Sequence, residues 1–210
     1  MPDVAKIIKV LDKDYPRVKC SLDFSNDTEM FVAICLSANC SDAMVNRTTP
    51  QLFSRFKRFE DFAKADRKEI EKLIRPIGLY RAKSRNLNEA CRMIIKIHGG
   101  KIPRTMNELI KLPGVGRKIA NVLLAVKHGI MEGIAVDTHV ARLSQRLGLS
   151  KSENRMIIER DLMAIIPKRS WDRFSLQLIY HGRKVCNARK PDCSQCSLRS
   201  LCPSAFKFGK

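Results

Sequence analysis

Apolar residues recur at three- and four-residue intervals through most of the chain, which is the spacing of an amphipathic helix. Two stretches show the pattern most clearly: Met30, Phe31, Ile34 and Cys35, and then Leu87, Ala90, Cys91, Ile94 and Ile95. A sustained alternation of apolar and polar residues, which half-buried strands would need, does not occur. The pattern therefore predicts an all-α protein.

Capping residues and glycines place several helix ends. Thr105, followed three residues later by Glu108, has the capping-box pattern and predicts a short helix ending near residue 112. Pro113-Gly114-Val115-Gly116 then predicts a hairpin into a helix from about 117 to 128. Asp137 is placed to cap a helix that runs to Gly148. These segments together predict a helix-hairpin-helix followed by a capped helix.

Pro167 separates a helix ending near residue 166 from a last long helix that reaches Cys186. No internal repeat or low-complexity linker interrupts the chain. The two ends are therefore predicted to form one lobe and the middle another.

Charge points to an acidic partner. Lys and Arg number 40 against 21 Asp and Glu, so the formal net charge is +19. Such a field attracts polyanions, and nucleic acid is the first to consider. The same excess would also suit a generic solubility charge, or a ribosomal or chromatin protein. The N-terminal stretch lacks the apolar core of a secretory signal, and no transmembrane run occurs, so a membrane is not an expected partner and a cytoplasmic location is expected.

The glycines of the hairpin suggest a contact with phosphate. Gly114 and Gly116 would let the backbone approach a ligand closely, and amides at a helix start favour an anion. An ordinary turn between packed helices is the alternative, but Arg117 and Lys118 follow at once and favour a DNA phosphate. A nucleotide-binding P-loop is not indicated, because its glycine spacing is absent.

Lys118 is a candidate nucleophile. It lies in the first turn of the predicted helix, where the helix dipole disfavours a cation and should push the amine towards its neutral form. Asp137 would start the next helix, and taken alone it is most simply a helix cap. Both roles can coexist if the carboxylate stays reachable. His139 is expected on a helix surface or in a capping network, without a catalytic role.

An amine and a carboxylate on a DNA-binding frame suit attack at the anomeric carbon of a nucleotide sugar. The base would leave, an iminium would link the lysine to the sugar, and elimination of the 3′ phosphate could follow. The carboxylate would stabilise positive charge on the sugar ring. Because a stacked base hides this carbon, the nucleotide would have to be flipped out, at a cost of about a few kcal/mol.

Four of the eight cysteines crowd into one short segment: Cys186, Cys193, Cys196 and Cys202. Four thiolates can bind tetrahedral zinc or a [4Fe–4S] cluster, and the spacing alone does not separate the two. Two disulfides are the remaining alternative, disfavoured in a reducing compartment. The loop between the first two cysteines carries Arg189 and Lys190, and Arg183 precedes it. A structural metal centre would thus present cations to phosphates.

Taken together, these motifs resemble those of the endonuclease III family of helix-hairpin-helix glycosylases. The matching segments are Leu112 to Lys118, Val136 to His139, the cysteine spacing, Leu36-Ser37-Ala38, Ile77-Gly78-Leu79-Tyr80 and His181-Gly182-Arg183. They extend over nearly the whole chain. The resemblance implies a bilobal all-α fold with the active site in the cleft between the lobes. A six-helix lobe would span residues 21–131, and the second lobe would combine 1–20 with 132–210.

The resemblance also implies a [4Fe–4S] cluster rather than zinc in the loop 186–202, and oxidised pyrimidines in double-stranded DNA, or abasic sites, as substrates. It implies Lys118 as nucleophile, Asp137 as carboxylate, and Leu79 as the wedge that fills the gap left by the flipped base. The protein is expected to act as a monomer, and in a prokaryote at the nucleoid.

One position departs from the family. Bacterial members carry glutamine after Leu-Ser-Ala, whereas this chain has Asn39. That residue is expected to probe the orphaned partner base, so the opposite-base preference is left open. A mismatch glycosylase of a sister branch is an alternative enzyme, although those branches generally lack this lysine. A non-catalytic DNA-binding protein with a structural metal is the alternative outside the enzymes.

Overall fold

Every regular element of the computed structural model, which describes residues 2–208, is helical, as the apolar spacing predicts. The chain divides into two compact units. Ser21–Ile130 forms one, here the continuous unit, and Met1–Cys20 with Met131–Lys210 forms the other, here the split unit. The sequence had placed the second boundary one residue later, after 131. No helix within residues 2–208 has the length and apolar character needed to span a membrane.

The continuous unit contains seven α-helices within the described chain, one more than the six expected. They are α2 (Asp27–Leu36), α3 (Asp42–Arg55), α4 (Phe59–Lys64), α5 (Arg67–Leu73), α6 (Tyr80–His98), α7 (Met106–Leu109) and α8 (Arg117–Leu123). A π-helical turn, Leu124–His128, continues α8 and ends at Gly129, whose φ of 65° is left-handed. The helix predicted from 117 to 128 is therefore present, with its last turn widened.

Helix α2 lies at the centre of this unit. Seven of its ten residues are buried, including three apolar residues outside the predicted stripe: Val32, Ala33 and Leu36. It contacts α3, α6 and α8. A helix that buries most of its residues has to pack against several other helices. Its burial therefore fixes where α3, α6 and α8 can pack.

The split unit is built from both ends of the chain. Its helices are α1 (Val4–Asp14), α9 (Thr138–Arg146), α10 (Arg155–Ile165) and α11 (Trp171–Lys184), with 3-10 turns at Lys168–Ser170 and Arg199–Leu201. Ile7 and Leu11 of α1 are fully buried in one core with residues of α9, α10 and α11. The buried Gln177 of α11 also donates from Nε2 to Asp12 Oδ1 of α1 at 2.9 Å. The N-terminal helix is thus a structural part of the C-terminal unit.

Gly182 allows α9 and α11 to approach closely. A Cβ atom at this position would lie 2.9 Å from Nδ1 of His139 and 3.0 Å from Nη2 of Arg142. Contacts this short do not occur without displacing a neighbour, so only glycine fits. His139, for which no catalytic role was expected, packs here and lies 3.2 Å from the Arg142 guanidinium. Burial lowers the pKa of His139.

Candidate functional site

The hairpin before α8 is a tight turn, and its two glycines have different roles. The Val115 amide donates to the Leu112 carbonyl at 3.0 Å, and Gly114 has a φ of 79°. A Cβ atom on Gly114 would lie 2.9 Å from Nδ2 of Asn86, so both the backbone conformation and the space require glycine. Gly116 has a φ of −87° and no neighbouring atom within 4 Å of an added Cβ. Its backbone therefore faces open space where α8 begins.

Arg117 and Lys118 are the first two residues of α8. Arg117 is exposed, whereas Lys118 is half-buried. Within residues 2–208, Lys118 has no hydrogen-bond or ion-pair partner. A half-buried amine at the start of a helix is locally unfavourable, and such departures concentrate at functional sites. The amine is not committed to holding the fold.

A pocket of about 150 Å³ lies beside the hairpin in the continuous unit. Its lining residues are Cys35, Ala38, Asn39, Leu79, Ala82, Lys83, Asn86, Leu87, Pro113 and Gly114. Three residues singled out in the sequence, Asn39, Leu79 and Gly114, thus meet at one place. They come from the turn after α2, the start of α6 and the hairpin, which are distant in sequence.

Backbone strain is concentrated at this pocket. Only three non-glycine residues among 2–208 have positive φ, and two of them, Asn39 (53°) and Leu79 (59°), line it. Asparagine tolerates this conformation because its short amide can form local hydrogen bonds. For leucine the left-handed backbone raises the conformational free energy by about 1–2 kcal/mol. The Leu79 side chain is 68% exposed, so it gains little from burial. Strained, exposed apolar residues of this kind are typical of ligand-contacting positions.

Lys83, which the sequence analysis missed, supports the same pocket. Its side chain is buried, and Nζ donates to the Leu36 carbonyl at 3.0 Å. Burial lowers the pKa of this amine. The Leu36 carbonyl ends α2, so the bond holds the turn that carries Asn39. Like Lys118, Lys83 lies in the first turn of its helix, and that position was the available signal.

Asp137 caps α9 in the split unit. Its Oδ1 accepts hydrogen bonds from the amides of His139 and Val140, both at 2.8 Å. Neither bond uses Oδ2, which has no hydrogen-bond partner within the described chain. The residue is half-buried. The geometry therefore leaves one carboxylate oxygen for another role while the other satisfies the helix start.

The four clustered cysteines line one cavity in the split unit, together with Arg146, Pro191 and Phe208. No three potential metal-ligating side chains in residues 2–208 converge closely enough to hold a single ion. Burial raises the pKa of Cys196 to about 11 and also raises that of Cys202, so these thiols need a bound cation to ionise at neutral pH.

Two arginines of α9, also missed in the sequence analysis, organise the cysteine loop. Arg146 donates from Nη1 to the Asn187 carbonyl at 2.8 Å and from Nη2 to the Ala188 carbonyl at 2.7 Å. Its Nη1 also lies 3.2 Å from Cys186 Sγ. Arg142 Nη2 donates to the carbonyls of Gly182, at 3.0 Å, and Cys186, at 2.9 Å. These bonds fix the backbone around the first cysteine.

The basic residues predicted around the first cysteine are all exposed. Arg183 lies in the last turn of α11, and Arg189 and Lys190 lie in the loop that Arg146 holds. A cation at a helix C-terminus also stabilises the helix through its dipole. Arg183 therefore has a structural role in α11 besides the predicted contact with phosphate. The exposed loop cations remain available to an acidic ligand.

Comparison with known proteins gives one consistent family. Residues 32–168 match the model of the HhH-GPD superfamily base excision DNA repair proteins. The chain is 51% identical to an endonuclease III of Synechocystis over 200 residues, covering 95% of this chain and 91% of that protein. It is 45% identical to an endonuclease III of Bacillus subtilis, covering 93% and 90% respectively. Both alignments extend over nearly the full length of each protein.

A solved structure supports the same similarity in three dimensions. It is described as a trapped endonuclease III–DNA covalent intermediate, an estranged-adenine complex. Its TM-score with this chain is 0.92 at 41% identity, covering 99% of both chains.

Replacement of Gly114 by alanine should destabilise the protein. The positive φ and the 2.9 Å approach to Asn86 both oppose a Cβ, and we expect a loss of about 1–3 kcal/mol in the free energy of unfolding. Urea denaturation measures it, as a lower midpoint with an unchanged m-value. Gly78→Ala, where an added Cβ meets nothing within 4 Å, is the control and should stay within about 0.5 kcal/mol. Equal effects of the two substitutions would contradict the assignment.

Proposed function

Because the chain belongs to the endonuclease III family of HhH-GPD base excision repair proteins, we propose that it removes damaged pyrimidines from DNA and cuts the strand through Lys118. The observation that carries the assignment of the residue is the half-buried amine directly after the hairpin, with no partner in the described chain. The protein is thus a DNA glycosylase with a lyase activity at abasic sites. It would act as a monomer, in the cytoplasm of a prokaryote at the nucleoid.

The chemistry follows from the amine. The neutral Lys118 Nζ attacks C1′ of the damaged nucleotide, and the bond between C1′ and the base breaks. The C1′–O4′ bond then opens and the C=N bond forms, while nitrogen gives up one proton and keeps the other. The departing base and O4′ each take up a proton. The resulting iminium withdraws electrons from C2′ and makes its protons acidic. Loss of a C2′ proton then expels the 3′ phosphate and cuts the strand. Hydrolysis of the C=N bond returns the free amine.

Asp137 is the proposed electrostatic partner in this reaction. As the base leaves, positive charge develops on the sugar ring, and a carboxylate directed at it lowers the barrier. Because Oδ1 is held by two backbone amides, the side chain is already oriented and Oδ2 can serve the substrate. The same oxygen can carry protons between steps. Asp137 then serves both as the helix cap and as the catalytic carboxylate.

The strained pocket is the proposed contact with the duplex at the flipped nucleotide. Leu79 is apolar, exposed and held in a left-handed conformation, which suits a wedge that replaces an extruded base in the stack. Asn39 beside it has an amide that can bond the orphaned partner base. Its side chain is one methylene shorter than glutamine, and the left-handed backbone at this position favours asparagine.

Phosphate contacts are proposed at two surfaces. In the continuous unit, the exposed backbone of Gly116 and the side chain of Arg117 can bind a phosphate, while Gly114 shapes the turn. In the split unit, Arg183, Arg189 and Lys190 are the candidates. The net charge of +19 supports such contacts and implies binding that weakens steeply with salt.

We propose that the four clustered cysteines hold a [4Fe–4S] cluster. A tetrahedral zinc ion would draw four sulfurs to about 2.3 Å from one point. These sulfurs instead line a cavity, and Arg146 Nη1 donates towards Cys186 Sγ as it would to a thiolate ligand. When bound, the cluster would cross-link the loop 186–202 and so hold its cations in place. The glycosidic reaction needs no electron transfer, so its role there is structural.

Replacement of Lys118 by alanine should abolish covalent trapping. Borohydride reduces an iminium to a stable amine, so the unaltered protein should form a cross-link with DNA that contains an abasic site or an oxidised pyrimidine. Lys118→Ala should form none and should not cut the strand, while Lys111→Ala, an exposed lysine of the same hairpin, should behave normally. Undiminished trapping in Lys118→Ala would refute the assignment.

Replacement of Asp137 by asparagine should separate catalysis from folding. Asparagine caps helices as well as aspartate, so the unfolding midpoint and DNA affinity should change little. Turnover should fall by roughly 10²–10⁴, the usual contribution of a positioned acid–base group. Single-turnover kinetics on an oxidised-pyrimidine duplex measures it. Asp3→Asn, at the other aspartate cap of the split unit, is the matched control. Normal turnover in Asp137→Asn would remove this carboxylate from the mechanism.

The purified protein should be brown and contain about four iron and four sulfide per chain. Metal analysis together with visible absorbance checks this. Stoichiometric zinc in protein made under iron-replete, anaerobic conditions would contradict the cluster.

A further inference from the structure

His181 connects one cysteine ligand to the N-terminal helix. It lies on α11 with a side chain only 1% exposed, and both ring nitrogens have partners. Nε2 lies 3.3 Å from Cys196 Sγ. Nδ1 lies 3.0 Å from the Tyr15 hydroxyl. The tyrosine and histidine rings also meet edge to face, with centroids 5.9 Å apart.

The direction of these hydrogen bonds follows from the ligand. A cysteine that binds iron is a thiolate, which can only accept, so Nε2 must carry the ring proton and donate it. Nδ1 of a neutral imidazole then has a lone pair and accepts from the Tyr15 hydroxyl. Tyr15 thus selects the tautomer that points its N–H at Cys196.

The end of α1 is fixed to the same loop by further contacts. The Ser197 hydroxyl donates to the Asp14 carboxylate. Ser197 directly follows Cys196, and Asp14 directly precedes Tyr15. Gln177 Nε2 donates to the Tyr15 carbonyl at 3.3 Å. The backbone at Tyr15 is therefore held from both sides, which places its hydroxyl beside His181. The contact between Tyr15 and His181 is therefore supported by the surrounding fold.

We propose that Tyr15 and His181 form a hydrogen-bond relay that sets the reduction potential of the iron–sulfur cluster at Cys196. The inference rests on the proposed cofactor. An N–H donor withdraws electron density from a ligand sulfur and stabilises the more negative, reduced state, so it raises the potential. The Tyr15 bond to Nδ1 polarises the ring and strengthens that donor. Tyr15 acts only through His181 and is a positioning residue.

Three phenylalanine variants test the relay. Tyr15→Phe removes only the hydroxyl and should lower the midpoint potential. His181→Phe removes the donor itself and should lower it further. Tyr180→Phe is the matched control, because this neighbouring tyrosine bonds the Lys19 carbonyl at 3.4 Å and lies outside the relay. Its potential should equal that of the unaltered protein. His181→Gln, which keeps an N–H donor, should recover part of the shift.

The potentials are measured on full-length protein by voltammetry, or by titration with dithionite and mediators, after iron and sulfide have been quantified. Resonance Raman spectra in H2O and D2O give a second readout. An isotope shift of the iron–sulfur stretching bands should be present in the unaltered protein and reduced in His181→Phe. A purely structural histidine would change the unfolding midpoint without changing these signals.

The outcomes are distinguishable. Unchanged potentials in Tyr15→Phe and His181→Phe, with full cluster content, would overturn the relay and leave the cluster assignment intact. Absence of iron in the unaltered protein would remove both. If His181→Phe fails to retain its cluster, Tyr15→Phe decides alone, since it deletes one hydroxyl and keeps the ring packing.

Discussion

The burial of most of α2 is the constraint on which the continuous unit depends. Seven of its ten residues are buried, and α3, α6 and α8 pack on it. Where it ends, the chain has to turn sharply, and this turn carries Asn39. Because α8 packs on the same helix, the hairpin and Lys118 are placed by the same burial. In this unit the packing of the core therefore also sets the position of the candidate site residues.

A second regularity is that buried or half-buried cations hold the loops. Lys83, Arg142 and Arg146 bond backbone carbonyls rather than carboxylates. Those carbonyls lie at the ends of α2 and α11 or directly after them, where unpaired carbonyl oxygens carry partial negative charge. Each bond satisfies an orphaned carbonyl and offsets part of the desolvation of the cation. The loops fixed in this way carry Asn39 and the first cysteine.

The sequence alone predicted the local features. Asp137 caps its helix, Gly129 ends the π-helical turn after α8, and the cysteines fall in one loop, because each depends on neighbours a few residues away. The sequence predicted less where burial in the folded protein determines the structure. The apolar spacing from Met30 to Cys35 predicted one buried stripe, yet Val32, Ala33 and Leu36 outside that stripe are buried as well. Periodicity describes one face of a helix and not what packs on the others.

The sequence by itself determined the helical class, the hairpin, the positions of the candidate lysine and aspartate, and the spacing of the four cysteines. Only the tertiary structure decided that Asn39, Leu79 and Gly114 share a pocket. It alone shows that Lys83 holds the turn carrying Asn39 and that Arg146 holds the cysteine loop. It also decided that Tyr15 reaches the cysteine site through His181. Tyr15 and His181 are 166 positions apart. Contacts at such separation depend on how helices pack, and no short-range pattern encodes that packing.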